Sequence, residues 1–233
     1  ILSESETITQ DERERESLML SLRTAAGMDV QTFEQLRRYS KALGMNQTNV
    51  VEGMKPLLNE SHITAGYECQ ADPLSANYGT YYWIGALSRQ KGKEVREVQS
   101  QADGVKALLE LPIEVQLYLL KQTMDADGTE MVQSYYDSYE AWCSGDEDAF
   151  REMIGDEQDW DALPEEDRRL MEPYYQYDLD WYELVYKKAV QCLESDEEIF
   201  FVVDMYACLT DEIGLVDQLR TAGYTVEQVQ YTQ

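Results

Sequence analysis

The sequence predicts a helix-rich α/β (α+β) fold, a small mixed sheet of about three strands flanked by many helices, within a single domain over residues 1–233. Three observations lead there. Most of the chain repeats apolar residues at the three-to-four spacing of amphipathic helices. Three short stretches break that rhythm: residues 94–98 and 224–229 alternate polar and apolar, and residues 199–203 are five consecutive β-branched or aromatic residues, suited to a strand buried on both faces. A hydrophobic content of 43% supplies a core in spite of the charge, so the chain is not a disordered acidic tail.

In chain order, residues 1–10 read as a frayed polar end. A helical pattern follows from Asp11, with Leu18, Leu20, Leu22 and Ala25, to a stop at Gly27. Asp29 is placed to cap a helix over residues 30–43, with Phe33, Leu36, Tyr39 and Leu43 on one face and Gly44 as its stop. A short helix ending at Leu58 is interrupted by Pro56, and residues 59–77 read as a loop carrying His62, Cys69, Asp72 and Pro73. Ser75 can cap a helix over residues 77–90 that Gly92 closes, and the strand at 94–98 follows. Ser100 opens a helix to Leu109, Pro112 stands in the first turn of another to Met124, and a third runs from Thr129 to Trp142. Gly145 breaks it and Asp146 caps a helix to Ile154. Residues 161–192 are helical, with Pro164 and Pro173 as starts or kinks. The buried strand, continued to Met205, comes next. Asp211 then caps a helix to Thr221, Gly223 ends it, and the strand at 224–229 closes the chain.

Charge narrows the function. Against 46 Asp+Glu stand 19 Lys+Arg, a net charge of -27 with no compensating basic stripe. A phosphate backbone or an anionic bilayer surface would be repelled, which argues against nucleic-acid and membrane-surface partners. No apolar run reaches the ~18 residues that a spanning helix needs. Cys69, Cys143, Cys192 and Cys208 form no CxxC pair and are accompanied by one His, so neither a zinc site nor any other metal or cofactor is expected. The chain begins at Ile1 rather than Met, which carries the expectation of a removed leader and an extracellular or cell-surface location.

Several blocks in fixed order carry a resemblance: Leu74-Ser75-Ala76-Asn77-Tyr78-Gly79, Gly92-Lys93-Glu94-Val95, Lys188-Ala189, Phe200-Phe201-Val202-Val203, Gly214-Leu215-Val216 and Gly223-Tyr224-Thr225-Val226. Over residues 30–231 the chain resembles the TraB/GumN family, which also includes the Tiki-type extracellular proteases. The resemblance implies a mixed sheet flanked by helices, akin to the ChaN-like and erythromycin-esterase-like proteins. It also implies metal-dependent hydrolysis, with peptides as substrates in the Tiki branch, in a bacterial, secreted or lipoprotein-like protein.

The departures from that family pattern are as informative. The family's Gly-x-His motif has no counterpart, because no His precedes His62. Where the family carries an Asp, Glu, an Arg-Asn pair and a Gly-Ala-Gly-His exit, this chain has Tyr81, Gln99, Trp181-Tyr182 and Met205-Tyr206-Ala207-Cys208. A hard divalent ion needs carboxylates or imidazoles, and an oxyanion needs a cation or donors. Replacement at every aligned position implies a degenerate site with no catalytic residue. The expected function is then a non-catalytic binding or regulatory protein, contacting a peptide, glycan or protein partner through an aromatic-lined cleft. The candidates are Tyr78, Tyr81, Tyr82, Trp83, Trp181 and Tyr206. Two alternatives stand beside it: a metal-dependent hydrolase completed by strands outside this chain, and a structural or assembly protein.

Other residues admit two readings each. His62 is either a lone ligand or a solvent-facing residue, and one imidazole without a partner makes no site. Cys208 is either a nucleophile lowered by the following helix N-terminus, a buried apolar thiol, or a disulfide partner of Cys69. The aromatic clusters are either a binding face or helix packing. Tyr135, Tyr139 and Trp142 share one helical stripe, as do Tyr175, Tyr182 and Tyr186, whereas Tyr136, Tyr174 and Tyr177 fall off these stripes and are expected to be exposed. The runs Asp146-Glu147-Asp148, Glu165-Glu166-Asp167 and Asp196-Glu197-Glu198 read as helix-start charges and solvated loops.

Overall fold

Three-to-four apolar spacing lets a chain close its backbone hydrogen bonds locally, and the structure is built that way. It is a computed structural model that describes residues 27–42, 54–72, 80–157, 160–210 and 212–229. In chain order the helices are α1 (Val30–Ala42), α2 (Pro56–Ala71), α3 (Thr80–Gln90), α4 (Gln101–Glu110), α5 (Ile113–Asp125), α6 (Gly128–Ser144), α7 (Glu147–Glu157), α8 (Glu165–Leu193), α9 (Met205–Leu209) and α10 (Leu215–Thr221). A 3-10 turn, Trp160–Ala162, precedes α8. The chain divides into two compact units, Ile1–Asp137 and Ser138–Gln233. Among the described residues no helix is long and apolar enough to cross a membrane.

The expected small mixed sheet is not present, and the α/β (α+β) assignment is corrected: among the described residues no strand forms. Among the described residues, 94–98 and 199–203 carry neither helical nor ladder backbone hydrogen bonds, and 224–229 carry only the bond from Tyr224 N to Leu219 O that closes the last helix. Alternation fixes which side chains share a face of an extended chain, but a strand persists only when a neighbouring backbone pairs its N–H and C=O groups. Nor is the central run buried. Phe200 is 82% exposed, Ile199 40% and Val202 37%. Met205, read as the end of that strand, instead opens α9, because the Asp204 carboxylate caps the helix by accepting from Ala207 N at 2.8 Å. The loop reading of residues 59–77 also fails across its helical part, since Pro56 occupies a first-turn position that a helix tolerates. His62 and Cys69 therefore lie on α2. The helical reading over residues 11–26, Leu43 and Gly44, and the Ser75 and Asp211 caps fall outside the described residues.

In the first unit, α5 packs against both α2 and α1. Phe33 and Leu36 from α1, Ile63 from α2, and Leu120 and Met124 from α5 form the core with Met28, and Tyr39, Tyr67 and Leu117 pack on its rim. Each buried Leu, Ile or Met side chain contributes about 1.5–3 kcal/mol relative to exposure. Helix ends are closed by side chains. Asp29 accepts from Thr32 N at 2.9 Å at the start of α1. Gln35 Nε2 donates to Met124 O at 3.2 Å, taking an orphan carbonyl at the end of α5. At the end of α4, Leu109 O accepts from Lys55 Nζ at 2.7 Å and from Gln116 Nε2 at 3.3 Å.

In the second unit, Phe150 and Ile154 of α7 bury against Leu209 of α9, with Met153, Met205, Tyr206, Cys208 and Val216 packed around them. The long α8 lies against α10 and buries Tyr182, Val185 and Ala189 at i, i+3 and i+7. Pro173 sits inside α8, where it removes one intrahelical donor. Gly145 and Gly223 end α6 and α10 at φ 66° and 92°, a backbone region that an L side chain rarely adopts.

Candidate functional site

Met205, Tyr206, Ala207 and Cys208, the site positions expected from the resemblance at the exit of residues 199–203, fall on α9. This segment is held from three sides. From α8, the Tyr182 hydroxyl meets Thr210 Oγ1 at 3.0 Å. Thr210 Oγ1 itself donates to Tyr206 O at 2.8 Å, so its single proton is committed and Tyr182 is the donor in the longer bond. From α7, Phe150 meets the Tyr206 ring edge-on at 5.9 Å. From below, Gly214 N donates to Thr210 O at 2.7 Å. A Cβ on Gly214 would stand 2.5 Å from that same oxygen and 2.8 Å from Cys208 O, so glycine is required here for space.

Arg151 on α7 ties the segment together electrostatically. Its Nη1 donates to Leu209 O at 2.9 Å, an orphan carbonyl at the end of α9. Its guanidinium also meets Asp217 of α10 in a two-point contact at 2.8 and 3.2 Å, and Glu147 of its own helix at 2.9 Å. Arg220 adds a second cation 3.3 Å from Glu147. Burial raises the Glu147 carboxyl, but the hydrogen bonds and charges of Arg151 and Arg220 together outweigh it and hold the group below its ordinary value.

Cys208 does not have the character of a nucleophile. Burial, and then the nearby charge of Asp204, push its thiol up to about 11, the reverse of the lowering expected beside a helix start. All four cysteines are free thiols in the structure. The single histidine, His62, bonds through Nδ1 to Leu58 O at 2.6 Å in the preceding turn of α2. Among the described residues no group of three or more His, Cys, Asp and Glu converges so as to hold a metal ion. Asp180, beside the Trp181-Tyr182 pair, is exposed and accepts from Gln176 Nε2 at 2.8 Å.

The remaining candidates are placed as follows. Tyr78 lies outside the described residues, and Tyr81 is placed only as a first-turn backbone position of α3. Tyr82 and Trp83, on the same helix, are exposed, Trp83 at 64%. Gln99 is half-buried ahead of α4, its amide oxygen lying over Gly104. Trp181 is half-buried on α8. Tyr182 and Tyr206 come together through Thr210 in the second unit, with Cys208 packed on the same Phe150 cluster as Tyr206, while Tyr82, Trp83 and Gln99 belong to the first. The stripe reading of the aromatics is partly reversed: Tyr139 and Trp142 are exposed, and Tyr174 and Tyr177 are half-buried in a cluster with Trp160 and Tyr175. Sequence reasoning missed Thr210 and Arg151. Arg151 did leave a signal, being the lone Lys or Arg between Lys121 and Arg168 in a strongly acidic stretch.

The comparisons with known proteins agree with the ordered blocks read from the sequence. No curated protein and no solved structure matches the chain. The TraB/PrgY/gumN family description matches residues 4–228, nearly its whole length, and on that match the chain belongs to the TraB/PrgY/gumN family.

Proposed function

We propose that this chain is a non-catalytic member of its family that binds a peptide, glycan or protein partner. The observation that carries this reading is the state of the α9 segment. Its polar groups are committed to holding the fold: Tyr182 to Thr210, Thr210 to Tyr206 O, and Arg151 to Leu209 O and two carboxylates. A thiol raised to about 11 is almost wholly protonated near neutral pH and is a poor nucleophile or metal ligand. Tyr82 and Trp83 on α3 supply the binding surface, since exposed aromatic rings suit apolar peptide side chains and sugar faces alike.

One experiment weighs chemistry against binding. The protein is mixed with Mn²⁺, Co²⁺ or Zn²⁺, assayed on a fluorogenic peptide library, and followed by thermal shift and elemental analysis. The expected result is no turnover and no stoichiometric ion. In parallel, Trp83→Ala is expected to reduce retention on peptide or glycan arrays while the helical circular dichroism stays unchanged. Turnover abolished by Asp180→Asn or Cys208→Ser would overturn the reading in favour of a metal-dependent hydrolase.

A further inference from the structure

The run Glu198 to Asp204 is the most exposed apolar stretch of the second unit, and it forms neither helix nor strand. Glu198, Ile199 and Phe200 all stand in solvent, and exposure alternates only from there on: Val202 and Asp204 are exposed, while Phe201 and Val203 are half-buried. Over residues 200–204 that two-residue period is the mark of a chain presenting one face outward. Among the described residues, no backbone hydrogen bond joins residues 199–203 to another segment. The row of N–H and C=O groups is therefore open, which is the condition under which a strand recruits another chain.

Charge selects the occupant. Asp196, Glu197 and Glu198 precede the run, Asp204 follows it, and all four are exposed. No Lys or Arg occurs between Lys188 and Arg220. A second copy fits poorly. In an antiparallel pair centred on Phe201, Glu198 would face Asp204 at both ends, and in a parallel in-register pair each acid would face itself; like charges directly opposite are destabilising. An extended segment with an apolar alternating centre and Lys or Arg at its ends satisfies the backbone, the apolar face and both acidic flanks at once. We propose that residues 198–204 are an acceptor edge that takes a basic-flanked, extended peptide segment of a partner protein as an added β-strand. The proposal stands on the open backbone and the flanking acids, independently of the α3 aromatic surface.

The test is a fluorescence-anisotropy titration of the full chain with three labelled peptides. One has an alternating Thr-Val centre and two Lys at each end, one has the same centre with Glu ends, and one is the Lys-ended peptide N-methylated at alternate residues. The Lys-ended peptide is expected to bind at least about tenfold more tightly than the Glu-ended one, with affinity falling as salt rises, and N-methylation is expected to abolish binding. Val202→Pro removes a donor where no native hydrogen bond exists, and is expected to lower affinity at least about tenfold without changing helicity. Glu198→Lys provides a second readout, expected to narrow or invert the preference between the two charged peptides. Equal binding of both, insensitivity to N-methylation or to Val202→Pro, or absence of saturable binding would overturn the proposal. So would a dimer of the chain alone, seen in sedimentation and dissolved by Val202→Pro, because the occupant would then be a second copy.

Discussion

Two neighbouring segments of the second unit share an apolar character and meet opposite fates. Residues 199–203 stand largely in solvent, whereas Ala207, Leu209 and Thr210, a few positions later, are buried. Hydrophobicity does not separate them, since Ile199-Phe200-Phe201-Val202-Val203 is the more apolar. What separates them is the satisfaction of polar backbone. In α9 and its turn, Asp204 takes the Ala207 N–H, Arg151 takes the Leu209 carbonyl and Gly214 N takes the Thr210 carbonyl. Burial follows where the backbone has partners, because an unpaired buried peptide group offsets much of the gain from the side chain beside it.

That contrast can be broken from either side. The largest effect is expected at Gly214→Ala, whose Cβ would press on Thr210 O and Cys208 O, both backbone atoms that cannot rotate away. A loss of at least about 3 kcal/mol is expected, visible as a drop in urea midpoint or a failure to accumulate folded protein. Arg151→Met keeps the stem but leaves Glu147 and Asp217 to share the more exposed Arg220, and it frees the Leu209 carbonyl. About 2–3 kcal/mol should be lost in chemical denaturation, less than for a fully buried pair because these carboxylates keep some solvent. Tyr182→Phe removes one hydroxyl bond to Thr210, and a loss of about 1 kcal/mol is expected, readable in the same melts. On the exposed side, Phe200→Ser should change stability by less than about 0.5 kcal/mol and reduce aggregation in light scattering, since Phe200 supports nothing beneath it. A loss above about 1 kcal/mol there would show that the run is covered after all.

The acid response sharpens the same comparison, because two carboxyls of this unit respond in opposite directions. Burial raises Asp178 to about 6, so the folded state binds its proton more tightly than the unfolded state. Its effect on stability is favourable at low pH and is lost as pH rises through the folded value. Glu147 is lowered, so its contribution is present above the ordinary carboxylate range and lost as pH falls through the folded value. Asp178→Asn is therefore expected to raise the melting temperature at about pH 7 and to flatten the change between about pH 7 and pH 5. A variant whose pH profile runs parallel to wild type would contradict the buried position of Asp178.

Local signals in the sequence were legible where the chemistry is local. Asp29, Ser100 and Asp146 cap the helices they were expected to cap, and Gly92, Gly145 and Gly223 follow the helices they were expected to stop. The sheet was not legible, because alternation at 94–98, 199–203 and 224–229 says nothing about whether another backbone lies alongside. The family was readable from ordered short blocks and is the part of the functional reading that the comparisons support. The holding of α9 was not readable. Arg151 reaches Leu209 across 58 positions, and Tyr182 reaches Thr210 across 28. Pairings of that range leave no periodic trace in a single sequence, beyond the isolation of one arginine among acids.

The gap in cations between Lys188 and Arg220 also governs how the chain meets proteases. An exposed stretch without internal hydrogen bonds is the shape a protease active site accepts. Trypsin-like enzymes, which cut after Lys or Arg, find no scissile position anywhere in that span. Chymotrypsin-like enzymes find Phe200, the most exposed large apolar side chain described, standing in the open run. The two enzyme classes should therefore treat this segment as opposites, one passing over it and the other severing α8 from α9 and α10.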